Sequence, residues 1–323
     1  MSVFTQISEK YNWKIKGDPA VLSGGFMHKM FRVDTEQEIF AIKLLNPFVM
    51  QRESALKNFL RAESLELLLE ENEIPVIGAR SFGGRKLQEI NGQYFYVFDY
   101  YSGKVLKGEE VTDYHCREMG KVLAKIHGID KKNASQSFPE REIDWEFYLS
   151  KLKKADSELY AELNSAAGII ECLQQNGNRA VRKLPPVAAV CHNDMDRKNV
   201  LWLGENFRII DLECLDWGNP FMELFELALC WSGIENGRID FDLFRSFLKG
   251  YESGGGEIPK DTEILYDSNI GRLEWLEYNI KRVLGIDCGE DEREMGLRQA
   301  RETICLLVYY SEMKEQILRN FIL

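Results

Sequence analysis

The sequence predicts an α+β chain in two parts, a small lobe built on an antiparallel sheet followed by a large, mainly helical lobe. Three observations lead there. Strand signals crowd into the first hundred residues. From about residue 112 onward, apolar residues recur at helical spacing. One short hairpin, near 200–210, interrupts the helical part. At 323 residues the chain is long enough for two parts that each bury a core.

Segments 29–33 and 39–44 read as strands flanking the polar turn Asp34-Thr35-Glu36-Gln37. Residues 51–73 read as a long helix ended by Ile74-Pro75, because a residue before proline is pushed out of helical backbone. Segments 87–90 and 93–98 flank Asn91-Gly92, a dipeptide suited to a two-residue hairpin turn. Ser102-Gly103, within 100–104, marks the expected hinge, giving a first part of residues 1–101 and a second of 102–323. In the second part, helices are expected at 112–128, 142–176, 221–234, 239–252 and 262–319. Met119, Val122, Leu123 and Ile126 illustrate the spacing. Residues 174–182 and 252–257 are expected exposed loops.

The composition, 45% hydrophobic and 29% charged, is that of a soluble globular protein. A net charge of −11 argues against nucleic acid as a partner and is compatible with a cationic substrate. No apolar run approaches the roughly 20 residues of a membrane span, so no membrane association is expected. The start, MSVFTQISEKYNWKIKG, lacks a basic region followed by an apolar core, so no secretory signal is expected. Seven cysteines without CxxC pairing suit buried free thiols in a reducing cytoplasm better than disulfides or a zinc site.

The stretch 190–220, VCHNDMDRKNVLWLGENFRIIDLECLDWGNP, carries the chemistry. His192-x-Asp194 is followed by Asn199, and Ile210-Asp211 comes after a short hairpin. Phosphoryl transfer from a nucleotide needs such a set: one carboxylate to take or orient a hydroxyl proton, and an amide and a second carboxylate to hold magnesium. Two strands, 200–203 and 207–210, joined through Gly204-Glu205-Asn206, would set Asn199 opposite Asp211. Asp and Asn are also ordinary turn residues, so His-x-Asp-x4-Asn alone decides nothing; Asp211 at the mirrored position gives it weight.

Lys43 ends the apolar run Phe40-Ala41-Ile42-Lys43-Leu44, where its charge is costly to bury without an anionic partner. Glu63 lies i+4 from Phe59 and i−4 from Leu67, on the apolar helix face, unlike Glu66 or Glu70. Two core-facing charges suggest one ion pair, with Lys43 also orienting nucleotide phosphates. Ser23-Gly24-Gly25 before the strand at 29–33 would let backbone amides approach phosphates; it is neither GxGxxG nor a Walker loop. Two other readings stay open: a nucleotide- or ligand-binding protein without catalysis, and a metal-dependent hydrolase using Asp194, Asp196 and Asp211.

Taken in order, these segments resemble the aminoglycoside phosphotransferase and choline kinase-like family, small-molecule kinases with a protein-kinase-like fold. The matching stretches are LSGGFMHKMF from Leu22, Ala41-Ile42-Lys43, Glu63, Phe98-Asp99-Tyr100-Tyr101-Ser102-Gly103, and the helix from Met119 to His127. His192 to Asn199, Ile210-Asp211-Leu212-Glu213 and Gly218-Asn219-Pro220 complete them, over residues 20–230. The resemblance implies a bilobal kinase-like fold and transfer of the γ-phosphoryl group of ATP or GTP to a small-molecule hydroxyl, with Mg2+. Carried over by position, Asp194 would be the catalytic base, and Asn199 and Asp211 would ligate magnesium. Lys43 would touch phosphates and pair with Glu63, and Ser23, Gly24, Gly25 and Phe26 would cover the phosphates. Asp99, Tyr100 and Tyr101 would present backbone to the nucleobase, with Phe98 behind it. His192 and His127 would be supporting residues. The chain departs from the family at Glu223-Leu224, where many members have Asp-Leu.

The acceptor pocket is expected from the carboxy-terminal helices, where Trp stands beside acid at Trp145, at Asp216-Trp217 and at Trp275 with Glu277. Aromatic faces with carboxylates suit an ammonium, as on an aminoglycoside or amino alcohol. The same residues fit helix packing: Trp145, Phe147 and Tyr148, near Leu149 and Leu152, read as a core stripe, and Trp275 at i−3 from Tyr278 likewise. Antibiotic, amino alcohol and sugar-like acceptors all stay open.

Overall fold

The computed structural model describes residues 2–22, 28–133, 140–286, 288–289 and 292–321. Its contacts divide the chain into two compact units, residues 1–107 with 192–216, and residues 108–191 with 217–323.

The first unit opens with a helix that sequence patterning did not signal, α1 (Val3–Tyr11), capped by Ser2 Oγ, which accepts from Thr5 N at 3.1 Å. Then come β1 (Ala20–Leu22), β2 (Lys29–Asp34), β3 (Ile39–Leu44), α2 (Pro47–Met50), α3 (Ala55–Glu71), β4 (Gln88–Ile90) and β5 (Gln93–Asp99). The strands form one antiparallel sheet in the order β1-β2-β3-β5-β4. Asn91 and Gly92 turn between β4 and β5 with φ of 48° and 81°, the left-handed pair such a turn requires. Strand alternation separates two cores. Val33, Phe40, Ile42, Phe95 and Val97 pack with Ile7 of α1. Tyr96 packs with Leu45, Phe59 of α3 and Ala79.

The helix expected at 51–73 is shorter: residues 51–54 form a turn that joins α2 to α3, which runs from Ala55 to Glu71. Its buried face also differs from expectation. α3 buries Ala55, Phe59, Ala62, Leu65, Glu66 and Leu69, while Leu60 and Leu67 are exposed and Glu63 is half-buried. Glu66 is therefore the carboxylate on the buried face.

The second unit begins with α4 (Asp113–Gly128), β6 (Lys131–Asn133), α5 (Trp145–Ala155), α6 (Ser157–Val181) and β7 (Val187–Cys191). The single helix expected at 142–176 breaks at Asp156, which is extended and caps α6 through Leu159 N at 3.0 Å. The loop expected at 174–182 is instead the end of α6. Its polar sequence stays helical because Leu173, Gly177, Ala180 and Val181 are buried. Gly177 is needed there: a Cβ would sit 2.2 Å from Ile270 Cγ2.

The chain next contributes a 3-10 turn (Arg197–Asn199), β8 (Val200–Leu203) and β9 (Asn206–Ile209) to the first unit. Backbone bonds fasten this hairpin within that unit. Trp202 and Lys104 exchange bonds of 2.8 and 2.9 Å, and Ile209 bonds to Pro75 and Ile77, each at 2.8 Å. β10 (Asp216–Gly218) follows, all but its first residue in the second unit, then α7 (Pro220–Trp231), α8 (Phe241–Ser253), α9 (Thr262–Ser268), α10 (Gly271–Val283), α11 (Arg293–Glu312) and α12 (Lys314–Phe321). Among the described residues, the stretch expected as helical over 262–319 thus divides into four α-helices. β6, β7 and β10 form a three-stranded sheet in the order β10-β7-β6. Among the described residues no helix is long and apolar enough to cross a membrane. All seven cysteines are free; Cys116, Cys191 and Cys230 are buried, and Cys172, Cys214 and Cys305 are exposed.

Candidate active site

The residues read as chemistry-bearing in the first unit converge through the hairpin. β8 and β9 pair Val200 with Ile209, and Ile210 N donates to Asn199 O at 2.9 Å. Asn199 is therefore opposite Ile210, and Asp211 lies one residue beyond the expected mirror position. The offset follows from the turn: the strands resume at Asn206, so the two-residue loop is Gly204-Glu205, with Gly204 at φ 62°. Asp211 itself is left-handed, φ 62° and ψ 58°, a conformation an aspartate adopts rarely and which turns the chain into the Leu212–Cys214 turn.

The loop before β8 holds Asp194. Asn193 is also left-handed, φ 63°, and its Nδ2 donates to Cys214 O at 2.8 Å, tying the 192–199 loop to the 212–214 turn. Asn199 Nδ2 donates to Asp194 O and to Asp194 Oδ2, both at 2.8 Å. An amide so engaged keeps its oxygen as the atom left to bind a cation. Lys198 Nζ donates to Asp194 Oδ1 at 2.9 Å and lies 3.0 Å from Asp196. Burial raises the Asp194 carboxyl above its ordinary value, and the Lys198 charge opposes that rise. His192 is buried, and its Nδ1 accepts from Asp194 N at 3.3 Å.

Lys43, on β3 between Met30 and Tyr96 in register, is buried and donates to Asp211 Oδ1 at 2.6 Å and to Glu213 Oε2. Burial alone would lower its ammonium; Asp211 and Glu213 together hold it above its ordinary value. Glu213 also lies 3.3 Å from His28 Nε2, and His28 Nδ1 accepts from Asn46 N at 2.9 Å. The expected Lys43–Glu63 ion pair is not formed. Glu63 Oε1 instead accepts from Tyr96 Oη at 2.8 Å and from Leu87 N at 2.9 Å. Two carboxylates compete for Lys43 against one, and neutral donors satisfy the one that loses. Lys198, Glu213 and His28 fall within the matching stretches, but the sequence assigned them no role. For Lys198 the i+4 spacing from Asp194 was the available signal; for Glu213 it was a second acid two residues past Asp211.

Ser23, Gly24, Gly25 and Phe26 lie outside the described residues. Phe98 pairs with Ala41 across the sheet and packs beside Tyr96. Asp99 bonds Arg80 at 2.6 Å; Tyr100 N donates to Ile39 O at 3.2 Å, and its ring lies under Arg32. Tyr101 faces Arg208, and Asp216 pairs with Arg61 at 3.0 Å.

The acid–aromatic residues of the second unit already hold internal partners. Trp145 is buried, with Nε1 on Gln174 at 2.9 Å. Trp217 carries Lys132 over its ring at 3.6 Å. Trp275 stacks on Tyr278, and Arg282 lies against both. Glu277 accepts from Tyr148 Oη at 2.6 Å and pairs with Lys281 at 2.9 Å. At the end of α4, His127 is buried between Glu223 at 2.8 Å and Tyr251 Oη at 2.9 Å. Glu223, the departure from the family's Asp, is thus a packing partner of that histidine.

Among the described residues, Asp194, Asp196 and Asp211 do not form a shared acidic cluster close enough to hold one ion. The first two share Lys198, while Asp211 is on Lys43.

A search of curated protein sequences found no match. Solved structures are similar over nearly the whole chain. A spectinomycin phosphotransferase bound to ADP and spectinomycin is 16% identical with a TM-score of 0.71, over 97% of this chain and 99% of that one. An amicoumacin kinase in complex with AMP-PNP and Ca2+ is 11% identical, TM-score 0.61, over 94% and 93%. An ethanolamine kinase of Plasmodium vivax is 15% identical, TM-score 0.58, over 95% and 85%. These likenesses show a protein-kinase-like phosphotransferase fold, a mixed α/β architecture with an antiparallel sheet and a large helical part. The sequence model of the phosphotransferase enzyme family matches residues 20–259, and the chain belongs to that family, as a small-molecule phosphotransferase.

Proposed function

We propose that the chain moves the γ-phosphoryl group of ATP or GTP to a hydroxyl of a small molecule. The observation that carries this reading is the convergence of Lys43, Asp194, Asn199 and Asp211 on the two sides of one hairpin. Asp194 takes the hydroxyl proton. Asn199 and Asp211 offer an amide oxygen and a carboxylate, the hard donors that Mg2+ prefers, and so fit it. When bound, that ion neutralises phosphate charge. With such an ion held by Asp211, Lys43, which now donates to that carboxylate, would be released to reach phosphate oxygens. Ser23 to Phe26 cover those phosphates, and the backbone of Asp99 to Tyr101, with Phe98, receives the base.

The hydrolase alternative loses its acidic cluster, as described above. A silent binding protein would not need a base held at both oxygens. For the acceptor, an aminoglycoside, amino alcohol or sugar-like compound fits the reading. A cationic one would have to compete with Lys132, Lys281 and Arg282, which already occupy Trp217, Glu277 and Trp275. The test is nucleotide consumption with Mg2+ across a panel of hydroxyl compounds, with mass spectrometry of the products. A phosphorylated compound is expected; nucleotide consumption without one defeats the reading.

A further inference from the structure

Asp194 is restrained at both carboxylate oxygens, and the two restraints are of different kinds. On Oδ2 sits Asn199 Nδ2, from a residue 4% exposed that also bonds Asp194 O. On Oδ1 sits Lys198 Nζ, on a long stem whose side chain is 46% exposed. A base can act only if the hydroxyl reaches within about 2.6–3.2 Å of one of its oxygens. The buried amide cannot leave Oδ2 without stranding polar groups, whereas the half-exposed ammonium can leave Oδ1.

A place for it already exists. Asp196 Oδ1 is fixed by Lys198 N at 2.8 Å, capping the 3-10 turn, while Asp196 Oδ2 stands 3.0 Å from Nζ. The ammonium thus bridges two carboxylates and can shift its weight from one to the other without losing its ion pair.

We infer that Lys198 is a positioning residue, holding Asp194 Oδ1 aimed at the acceptor's place and withdrawing onto Asp196 when the acceptor hydroxyl takes that place. This rests on the kinase reading above. The hydroxyl proton passes to Asp194 Oδ1 as the acceptor oxygen bonds to the γ-phosphorus. The bond from phosphorus to the bridging oxygen breaks, and its electron pair leaves with the nucleoside diphosphate. Lys198 keeps its charge throughout, and Asp196 keeps it nearby.

The test uses the panel compound that gives the fastest product formation, with Mg2+ and ATP or GTP. Steady-state constants are measured for the wild type and for Lys198→Met, Lys198→Arg, Asp196→Asn and the Lys198→Met/Asp196→Asn pair. Nucleotide Kd is read by calorimetry. Lys198→Met is expected to lower kcat about 10- to 100-fold, the cost of a misaimed base, with nucleotide Kd unchanged. Lys198→Arg should recover part of that loss. Asp196→Asn keeps an oxygen to cap the turn but removes the charge that draws Lys198 away, so acceptor KM should rise about tenfold. In the double variant that rise should vanish. Wild-type kcat in Lys198→Met, or a KM rise from Asp196→Asn that persists without Lys198, overturns the inference. Should Lys198→Met fail to fold, Asp196→Asn and Lys198→Arg still decide it: wild-type acceptor KM in the first overturns it. If the wild type yields no phosphorylated compound, the kinase reading fails and this inference with it. If product forms and the variants behave as wild type, only this inference fails.

Discussion

Two buried lysines in the first unit each meet two carboxylates, and what those carboxylates can still do separates them. Lys43 is 7% exposed and Lys86 8%. Around Lys86 both acids stand on the regular helix α3, Glu66 buried and Glu70 with its side chain 37% exposed. Glu66 Oε1 accepts from Lys86 Nζ and Ala79 N, both at 2.6 Å, and Glu70 adds bonds of 3.1 Å. Even a methyl group on Gly78 would lie 1.8 Å from Glu70 Oε1. Around Lys43 the acids come from the segment after the hairpin. Asp211 stands there in left-handed backbone with its side chain 32% exposed, and Glu213 is tied to His28. Burial of an ion pair is therefore weak evidence of a site, since such pairs also serve packing. A partly open carboxylate on strained backbone, holding a buried cation that another cation could replace, is stronger evidence.

The largest expected difference lies in turnover. Lys43→Ala should slow phosphoryl transfer by about 10² to 10³, as for one lost electrostatic contact to the reacting group. Lys86→Ala should leave turnover per folded molecule within about threefold. It should cost about 3–5 kcal/mol of stability, because Glu66 is left buried without its cation. Initial rates with active-site titration, beside urea unfolding, separate the two. Equal loss of turnover in both variants would erase the distinction.

Next in size is ligand linkage. Nucleotide with Mg2+ at about a hundred times its Kd should add about 2.7 kcal/mol to the stability of the wild type. Asp211→Asn and Asn199→Ala should lose most of that increment, and Lys86→Ala should retain it even though its baseline is lower. Melting midpoints with and without metal and nucleotide give the answer. An increment retained in Asp211→Asn would remove Asp211 from the metal's ligands.

The comparison also shows what was legible in the sequence. Lys43, Asp194, Asn199 and Asp211 could be picked out because the chemistry restricts their types and the hairpin restricts their spacing. The main strands of the first sheet were readable for the same reason: Asn91-Gly92 and the alternation about Phe40 and Ile42 are local signals. The partners were not legible. Whether an α3 acid faces Lys43 depends on the rotation of that helix, whose buried acid, Glu66, pairs with Lys86 instead. It depends also on Glu213, more than 160 residues away in sequence. The helix over 174–181 failed differently: its polar residues read as a loop, and its buried side needed the contact of Gly177 with Ile270 to be visible.

Acid separates the two clusters by sign. Burial would raise Glu213, but Lys43 and His28 override it and bring the carboxyl down to about 2. A depressed folded value means a contribution fully present above the unfolded value of about 4.5 and lost as pH falls toward 2. Glu66 is raised, chiefly by burial, with Lys86 opposing. Its ionised form therefore costs stability at neutral pH, and protonation relieves that cost as pH falls through the raised value. In the ligand-free chain, from pH 7 down to 3, Glu66→Gln should remove a gain in stability that the wild type makes as pH falls toward about 4.5, and Glu213→Gln should flatten the loss below it. Urea midpoints across that range measure both slopes; slopes of the same sign would show that the clusters do not differ in this way.

The smallest expected effect is a coupling close to zero. Lys43 and Glu63 lie beside the same strand residue, Tyr96, yet they share no bond: Lys43 donates to Asp211 and Glu213, and Glu63 accepts from Tyr96 and Leu87. A double-mutant cycle of Lys43→Met with Glu63→Gln should therefore be additive within about 0.5 kcal/mol. The same cycle with Glu213→Gln in place of Glu63→Gln should show a coupling of about 1–3 kcal/mol, because removing either partner leaves the other buried and charged. Both cycles are read from urea unfolding of the ligand-free chain at neutral pH, where Glu213 is ionised. Running them in parallel controls for the general cost of altering this lobe, since Lys43→Met is common to both. A large coupling to Glu63 with none to Glu213 would mean that the lysine spends its time on α3 in solution. The contrast between the Lys43 and Lys86 clusters would then lose its basis, because both lysines would be answering to the same helix.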